Sequence, residues 1–451
     1  MDETVHPHYL VAVVGAGPAG LYAARHLASE GAYVFLFNRD IKPGGLAEYG
    51  IYPDKHKMKE GLRAQFHQIL GLPQVEYYGN VLVGNTSDLS LEELREMGFQ
   101  AILVTAGAQG TKWLGLPGEA MEGVYHAKDL VYHYNQLPPF SQETFNIGRR
   151  VLMVGMGNVM LDIAHWLIYE KHVHEIMAVA RRGPSEVKFT KEELAYVVPS
   201  LDLLSLEKEL EHASSVAHAN DQSSIHLKEL VNAALQKAPE VPYKTHLTFK
   251  FLVSPRRILG DSTGRVCGIV LENNTLVKVD GEIKACGLGT TQTIDVDTVI
   301  FAIGDRVDTH IGLPLDGNEY LKNPNPSFPV EGLSYELCDH VSGCALEGTF
   351  VAGWSRKAST GLVGVARKDG INGARAVLAY LQTLPALSRL PLEEIHRNLR
   401  KMTRPVVTKL DLERLEAAEK AEAIERGWDE FKFASNEEML KAAGLNKVIS
   451  A

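Results

Sequence analysis

Apolar and polar residues fall along this chain in alternating blocks. "YLVAVVGAG" is an apolar run long enough for a buried strand, ending on small residues. "AGLYAARHLASEG" follows with apolar positions at helical spacing and stops at Gly31, and "AYVFLFN" is a second buried run. "SLEELREMGF" reads as a short helix with Ser90 at its N-cap, and "QAILVTAGA" as a later strand. This alternation predicts a parallel sheet.

A second set opens near residue 150. It comprises a strand in "RRVLMVGMG", a helix in "NVMLDIAHWLIYEK" and a strand in "EIMAVARRG". A polar, helix-prone stretch covers roughly 190–237. Mixed strands follow in "LTFKFLVSPRRILG" and "VCGIVLENNTLV", then a buried run in "VDTVIFAIGD". A loop-rich stretch reaches to about 348. "GTFVAGW" is one more strand, "GVARKDGINGARAVLAYLQTL" reads as a helix broken by its glycines, and the C-terminal end is charged and helical.

Two of the strand-to-helix junctions carry glycines at nucleotide-binding spacing. Gly15, Gly17 and Gly20 in "GAGPAG" form G-x-G-x-x-G. The first glycine permits the tight turn, the second admits a pyrophosphate to the backbone, and the third lets helix and strand pack closely. The helix N-terminus then faces the phosphates. "GAGPAG", with Pro18 followed by Ala19, favours FAD over NAD, because Pro18 in that position resembles flavoprotein families rather than dehydrogenases. An acid is expected at the end of the second strand to hold the ribose, but Asn38 stands there, with Asp40 as a substitute two residues on. The second turn is Gly155-Met156-Gly157-Asn158. Met160 occupies the place where Gly or Ala is usual, so its helix is expected to stand further from the strand. Arg181 and Arg182 follow the next strand, where the adenosine ribose is read, and paired guanidiniums there suit a 2′-phosphate. A solvated basic turn is the alternative. Two turns imply two nucleotides, and a flavin plus NADPH implies hydride transfer.

Composition narrows the class without changing it. The chain has 451 residues, enough for two or three domains, and a net charge of −10, which argues against nucleic acid or an anionic membrane as main partner. No apolar run is long enough to span a bilayer, and the acidic "MDETVHPHYL" is no signal peptide, so a cytoplasmic setting is expected. Cys267, Cys286, Cys338 and Cys344 form no C-x-x-C, which speaks against a redox dithiol or a bound iron–sulfur cluster. No metal site is expected.

At this point the residues resemble the adrenodoxin reductase-type ferredoxin–NADP⁺ reductases. "VVGAGPAGLYAARHL", "YGIYPDKHKMK", "LVTAGA", "LGLPGEAMEGVYHAKDLVYHYN", "GMGNVMLDIA", "ARRGPSEVKFTKEEL", "FAIGDR" and "VAGWSRKASTGLVG" stand in that family's order over nearly the whole chain. The resemblance implies an α/β fold of two Rossmann-like dinucleotide-binding domains. An NADP domain, 108–304, is inserted in a discontinuous FAD domain, 1–107 and 305–451. It implies NADP binding by Gly155, Met156, Gly157, Asn158 and Val159 with Arg181 and Arg182, and Glu193 near the nicotinamide, a surface helix residue being its alternative. It further implies Gly45 and Leu46 near the flavin, Val81 on the adenine side, and Trp354, Gly361, Leu362 and Val363 against the isoalloxazine. For Trp354 a core aromatic is the alternative. The implied activity moves electrons between NADPH and a ferredoxin-like iron–sulfur protein through FAD.

The departures set further expectations. The family's "PDH" is Pro53-Asp54-Lys55 here, so the histidine expected near the flavin is Lys55, with His56 one place later. "RKASTG", residues 356–361, lacks the family's Gly-Pro pair and is expected to be freer. The stretch 318–348 reads as an insertion-like surface loop carrying Cys338 and Cys344. The partner-docking region, "EHASSVAHANDQSSIHLKELVNAALQK", has few basic residues; a basic cluster exists instead at Arg397, Arg400, Lys401 and Arg404. Two alternatives follow: an electron-transfer subunit with another acceptor, and a non-catalytic FAD-binding scaffold.

Overall fold

The computed structural model describes residues 9–216, 222–239 and 244–445. Part of the expected docking region, 217–221, lies outside the described residues. The chain divides into two compact units. One takes the chain up to Thr111, Tyr132–Gln142 and everything from Gly304; the other is Lys112–Val131 with Glu143–Ile303.

The first unit is built on a six-stranded sheet in the order Glu336–Cys338, Ala345–Val351, Ala101–Val104, Tyr9–Val14, Ala32–Phe37, Val75–Tyr78. The last five run parallel, and Glu336–Cys338 is an antiparallel edge. Val14 lies level with Phe37 on one side and Val104 on the other, and Val104 with Val351. The carboxyl ends of four strands therefore finish on one line, the edge where parallel sheets hold ligands. Helices Pro18–Ser29 and Val363–Leu381 cover one face with Tyr22, Leu27, Ala374 and Val377. The other face is a second core around Phe35, Phe37, Tyr78 and Phe99.

The second unit has a five-stranded parallel sheet in the order Val124–His126, Thr298–Phe301, Arg150–Val154, Glu175–Val179, His246–Lys250. A separate antiparallel sheet, Val253–Gly260, Val266–Val279 and Glu282–Ile294, shares a core with it through Val253, Ile258, Ile269 and Leu271. Met160 and Trp166 of helix Asn158–Tyr169 are buried.

Several sequence expectations change. "LTFKFLVSPRRILG" is not one strand: Leu252 takes a φ of 56°, and the strands on either side of it join different sheets. Glu282–Ile294 is a strand that carries mostly exposed residues, so no apolar pattern announced it. The helix expected to be broken by glycines runs unbroken over Val363–Leu381. Its Gly370 lies against the first helix, where a Cβ would come 2.1 Å from the Ala19 carbonyl oxygen, so glycine is used there for close packing. The stretch 318–348 contributes the sheet's edge strand, with Tyr335 and Leu337 fully buried. Cys338 and Cys344 are both free thiols in that hairpin.

Candidate functional site

The first glycine turn leaves the central strand after Val14. Gly15 has a φ of 109°, and a Cβ there would stand 2.6 Å from the Thr105 and Ala106 backbone. Gly20 packs the helix onto its own turn, its Cβ position 1.9 Å from the Gly15 carbonyl oxygen. Gly17 differs: a Cβ there meets nothing within 4 Å, so the space over it is open. Pro18 opens the helix, and no side chain caps it. Backbone N–H groups of a first turn thus face open space, which is what a diphosphate requires.

Asn38 is buried and fully committed. Its Oδ1 accepts from Ala16 N–H at 3.0 Å, and its Nδ2 donates to the Asp40 and Lys42 carbonyls, both at 2.9 Å. It ties the glycine turn to the next loop. Gly44 N–H completes the tie on the Ala16 carbonyl at 2.7 Å. Gly45, beside it, has its Cβ position 3.2 Å from Gly17 Cα, and Leu46 starts a short helix there. Val81 is buried and donates its N–H to the Asn38 carbonyl at 2.9 Å. Gly15, Gly17, Gly45, Asn38 and Val81 are therefore one constellation.

The chain's far end reaches the same place. Gly353 has its Cβ position 2.6 Å from Ala19 Cβ, and its N–H donates to Asp369 at 2.7 Å. The segment expected to be freer is fastened at three points. Trp354 Nε1 donates to the Thr360 carbonyl at 3.0 Å, Arg356 pairs with Asp369 at 2.6 Å, and Ser359 Oγ accepts from Asp305 N–H at 2.7 Å. Gly361 then turns the chain into helix Val363–Leu381, which has no side-chain cap. Leu362, its N-cap, is 69% exposed, an apolar residue facing open space at a helix N-terminus.

The inserted unit repeats the first turn. Gly155 has a φ of 122°, with a Cβ position 2.3 Å from the Ala302 carbonyl oxygen. Gly157 is open, and helix Asn158–Tyr169 has no side-chain cap. The following segment folds over the turn: Lys188 N–H donates to the Met156 carbonyl at 3.0 Å, and Thr190 N–H to Asn158 Oδ1 at 3.1 Å. Val159 is half exposed beside it.

Arg181 and Arg182 are gathered by one carboxylate. Glu186 Oε1 accepts from Arg182 Nε at 2.6 Å and Arg181 Nε at 3.3 Å, and Oε2 accepts from both backbone N–H groups at 3.3 and 3.0 Å respectively. Asn274 fixes the Arg181 carbonyl at 2.9 Å. Among the described residues the side-chain contacts of both arginines are made by their Nε atoms, and both side chains are at least a third exposed. Sequence reasoning missed Glu186. The signal was the acid in "RRGPSE", but its contact depends on how Gly183-Pro184 folds back. Glu193 sits on the short helix Lys191–Ala195, half-buried, behind the Thr190 cap.

Lys55 is the N-cap of helix His56–Leu70. His56, not Lys55, lines a cavity of about 430 Å³ with Pro53, Asn135, Trp428 and Glu430. In its wall Lys59 is 1% exposed, with Nζ 3.2 Å from Asn135 Oδ1 and 3.7 Å from Glu430. Lys432 beside it pairs with Glu48 at 2.8 Å. Burial first, and then the Lys432 charge, push the Lys59 ammonium down to about 8. Burial raises Glu430, but Lys432, Lys59 and Arg63 outweigh it and hold this carboxyl down to about 2. Among the described residues no His, Cys, Asp and Glu cluster suits a metal ion, and no helix is long and apolar enough to cross a membrane.

Residues 9–199 match the profile of the pyridine nucleotide-disulphide oxidoreductases. The chain is 30% identical over 399 residues to the NADPH-ferredoxin reductase FprA of Mycobacterium leprae (strain TN), covering 81% of this chain and 83% of that one. It is 29% identical over 472 residues to the mitochondrial NADPH:adrenodoxin oxidoreductase of Salvelinus fontinalis, covering 96% and 91%. The solved structure of Mycobacterium tuberculosis FprA in complex with NADPH superposes with a TM-score of 0.80 at 26% identity, over 96% of this chain and 99% of that one.

Proposed function

Because this chain belongs to the family of NADPH-ferredoxin and NADPH:adrenodoxin reductases, we propose that it is an enzyme carrying electrons from NADPH, by way of FAD, to a ferredoxin-like iron–sulfur protein. One observation carries the reading. A single chain holds two glycine turns, each with an open glycine at an uncapped helix N-terminus, and only the second is followed by a paired-arginine site.

The residues present fit both groups. FAD belongs on the Gly15–Gly20 turn, where Gly17 leaves room for a diphosphate and the N-terminal N–H groups point at it. Gly45 and Leu46 border that place. Trp354, Gly361, Leu362 and Val363 present a second uncapped helix N-terminus, which favours negative charge on a bound ring system. Asn38 serves by shaping the turn, since its amide is spent on backbone. NADPH belongs on the Gly155–Val159 turn, with its 2′-phosphate on the forks of Arg181 and Arg182, bidentate donors that an NADH ribose would not use. When bound, FAD supplies the change from a hydride pair to single electrons. The protein's share is binding and orientation, with no covalent catalyst. Glu193 stands on the nicotinamide side of this reading. His56, next to Lys55, lines the cavity together with Lys59 and Glu430.

The four cysteines are free thiols, which suits a reducing compartment, and we read that setting as cytoplasmic. The test is Arg181→Ala/Arg182→Ala in FAD-loaded protein. NADPH affinity should fall by about a hundred-fold, two charge-assisted contacts at about 1.5 kcal/mol each, with NADH unchanged. Equal loss for both coenzymes contradicts the 2′-phosphate assignment.

A further inference from the structure

The chain carries a net charge of −10, yet one face of the first unit is locally cationic. Helix Val363–Leu381 carries Arg367 and Lys368 side by side and Arg375 two turns further on, all exposed and all lining one groove. Together with Ile371, Asn372 and Glu331 they line a groove of about 350 Å³. Arg25 of the first helix joins them. Arg25 and Arg367 both lie over the buried Tyr22 ring, at 5.1 and 4.6 Å from its centroid, so one aromatic ring gathers two guanidiniums. Among the described residues the groove's one carboxylate, Glu331, pairs with Lys368 at 2.8 Å. The field of the cations reaches the neighbours. His26 is held below its usual pKa by burial first and by Arg375 and Arg25 after it, against the opposing pull of Glu30. Lys368 and Arg375 draw Glu331 down.

The other basic cluster, Arg397, Arg400, Lys401 and Arg404, is less suited to a partner. Its helix also carries Glu393 and Glu394, and Arg404 is spent on Asp88 at 3.1 Å and Asn80 at 2.7 Å. Position favours the first cluster as well. The helix that bears it begins at Val363, beside the segment assigned to the flavin, and Arg367 and Lys368 follow roughly 7 Å along its axis.

We propose that the cluster of Arg25, Arg367, Lys368 and Arg375 is the docking surface for an acidic iron–sulfur acceptor. The proposal rests on the functional reading above and adds the surface that serves it. Complementary charge would steer the encounter and fix the orientation, and salt would weaken it. None of the four residues belongs to either nucleotide site.

The test is Arg367→Glu/Lys368→Glu in FAD-loaded protein, with an acidic two-iron ferredoxin as acceptor. KM for the ferredoxin should rise about ten-fold or more at low ionic strength, and the steep salt dependence of the wild type should flatten. The rate at which NADPH bleaches the flavin without acceptor should stay within about two-fold, because the coenzyme site is untouched. Arg367→Gln/Lys368→Gln should give an intermediate KM and serves if the reversal does not fold. A ferredoxin KM and salt dependence like the wild type's in both variants overturns the proposal, as does a loss produced by Arg400→Glu/Lys401→Glu instead. If the wild type bleaches with NADPH yet reduces the ferredoxin at no ionic strength, the acceptor reading itself fails and takes the docking surface with it. That pattern differs from a defect confined to the variants.

Discussion

Glu186 lays one carboxylate under two guanidiniums and two backbone N–H groups, and this brace sets how the arginine forks point. Glu186→Ala should weaken NADPH binding about five-fold, the cost of losing roughly 1 kcal/mol of orientation, while leaving NADH unchanged; paired coenzyme titrations of the variant check it. Lys59 gives a prediction in pH. Its folded pKa, about 8, lies below the usual lysine value of 10.5, so between these the unfolded chain binds more protons. Stability from this group therefore rises with pH across that window, by about 3 kcal/mol in all. Wild type should gain on Lys59→Met in denaturant titrations as pH goes from 8 to 10, and parallel curves would refute the assignment. At this scale the two turns were legible, because glycine at Gly15 and Gly155 answers a local backbone demand, a φ of 109° and of 122°. The brace, the Lys59 network and the commitment of Asn38 to backbone were not, because each depends on where a side chain ends up after the chain has folded back.

Elements were legible where their pattern is set by burial. The strands Tyr9–Val14, Ala32–Phe37 and Arg150–Val154 are apolar because both their faces are covered. Ser90 announced a helix and is joined to Glu93 in a capping box. The pattern misled where small residues do tertiary work. Glycines at 364, 370 and 373 read as breaks, yet the helix continues, because Gly370 and Gly373 let it approach Ala19 and Ala352 closely. Gly370→Ala must push a methyl against the Ala19 backbone, within the Gly15–Gly20 turn proposed to hold FAD. It should cost about 1–3 kcal/mol and lower FAD retention, whereas Gly364→Ala, at an open position, should cost neither. Thermal melts with FAD release by fluorescence would decide it. Exposed strands such as Glu282–Ile294 stayed hidden because neither face is apolar.

For the whole molecule, the decisive feature is that two glycine turns of one design, each proposed to hold a nucleotide, occupy separate compact units. Ligands that stabilise by mass action should therefore act on different cooperative blocks. Calorimetry should show NADP⁺ raising one transition and FAD the other; a single transition moved equally by both would count against independent sites. The two-unit α/β plan was legible in the sequence through the repeated strand–glycine–helix signature. The edge strand Glu336–Cys338 was not, since its residues read as loop until paired with Ala345–Val351, whose end "GTFVAGW" had announced. The scaffold alternative has no support in the site geometry, where both turns keep their open glycines. The most direct measurement is anaerobic stopped-flow mixing of the FAD-loaded protein with NADPH or NADH. The account predicts rapid loss of the flavin's visible band with NADPH, much slower with NADH, and return of colour on adding oxidised two-iron ferredoxin. A flavin that stays oxidised under excess NADPH would contradict it.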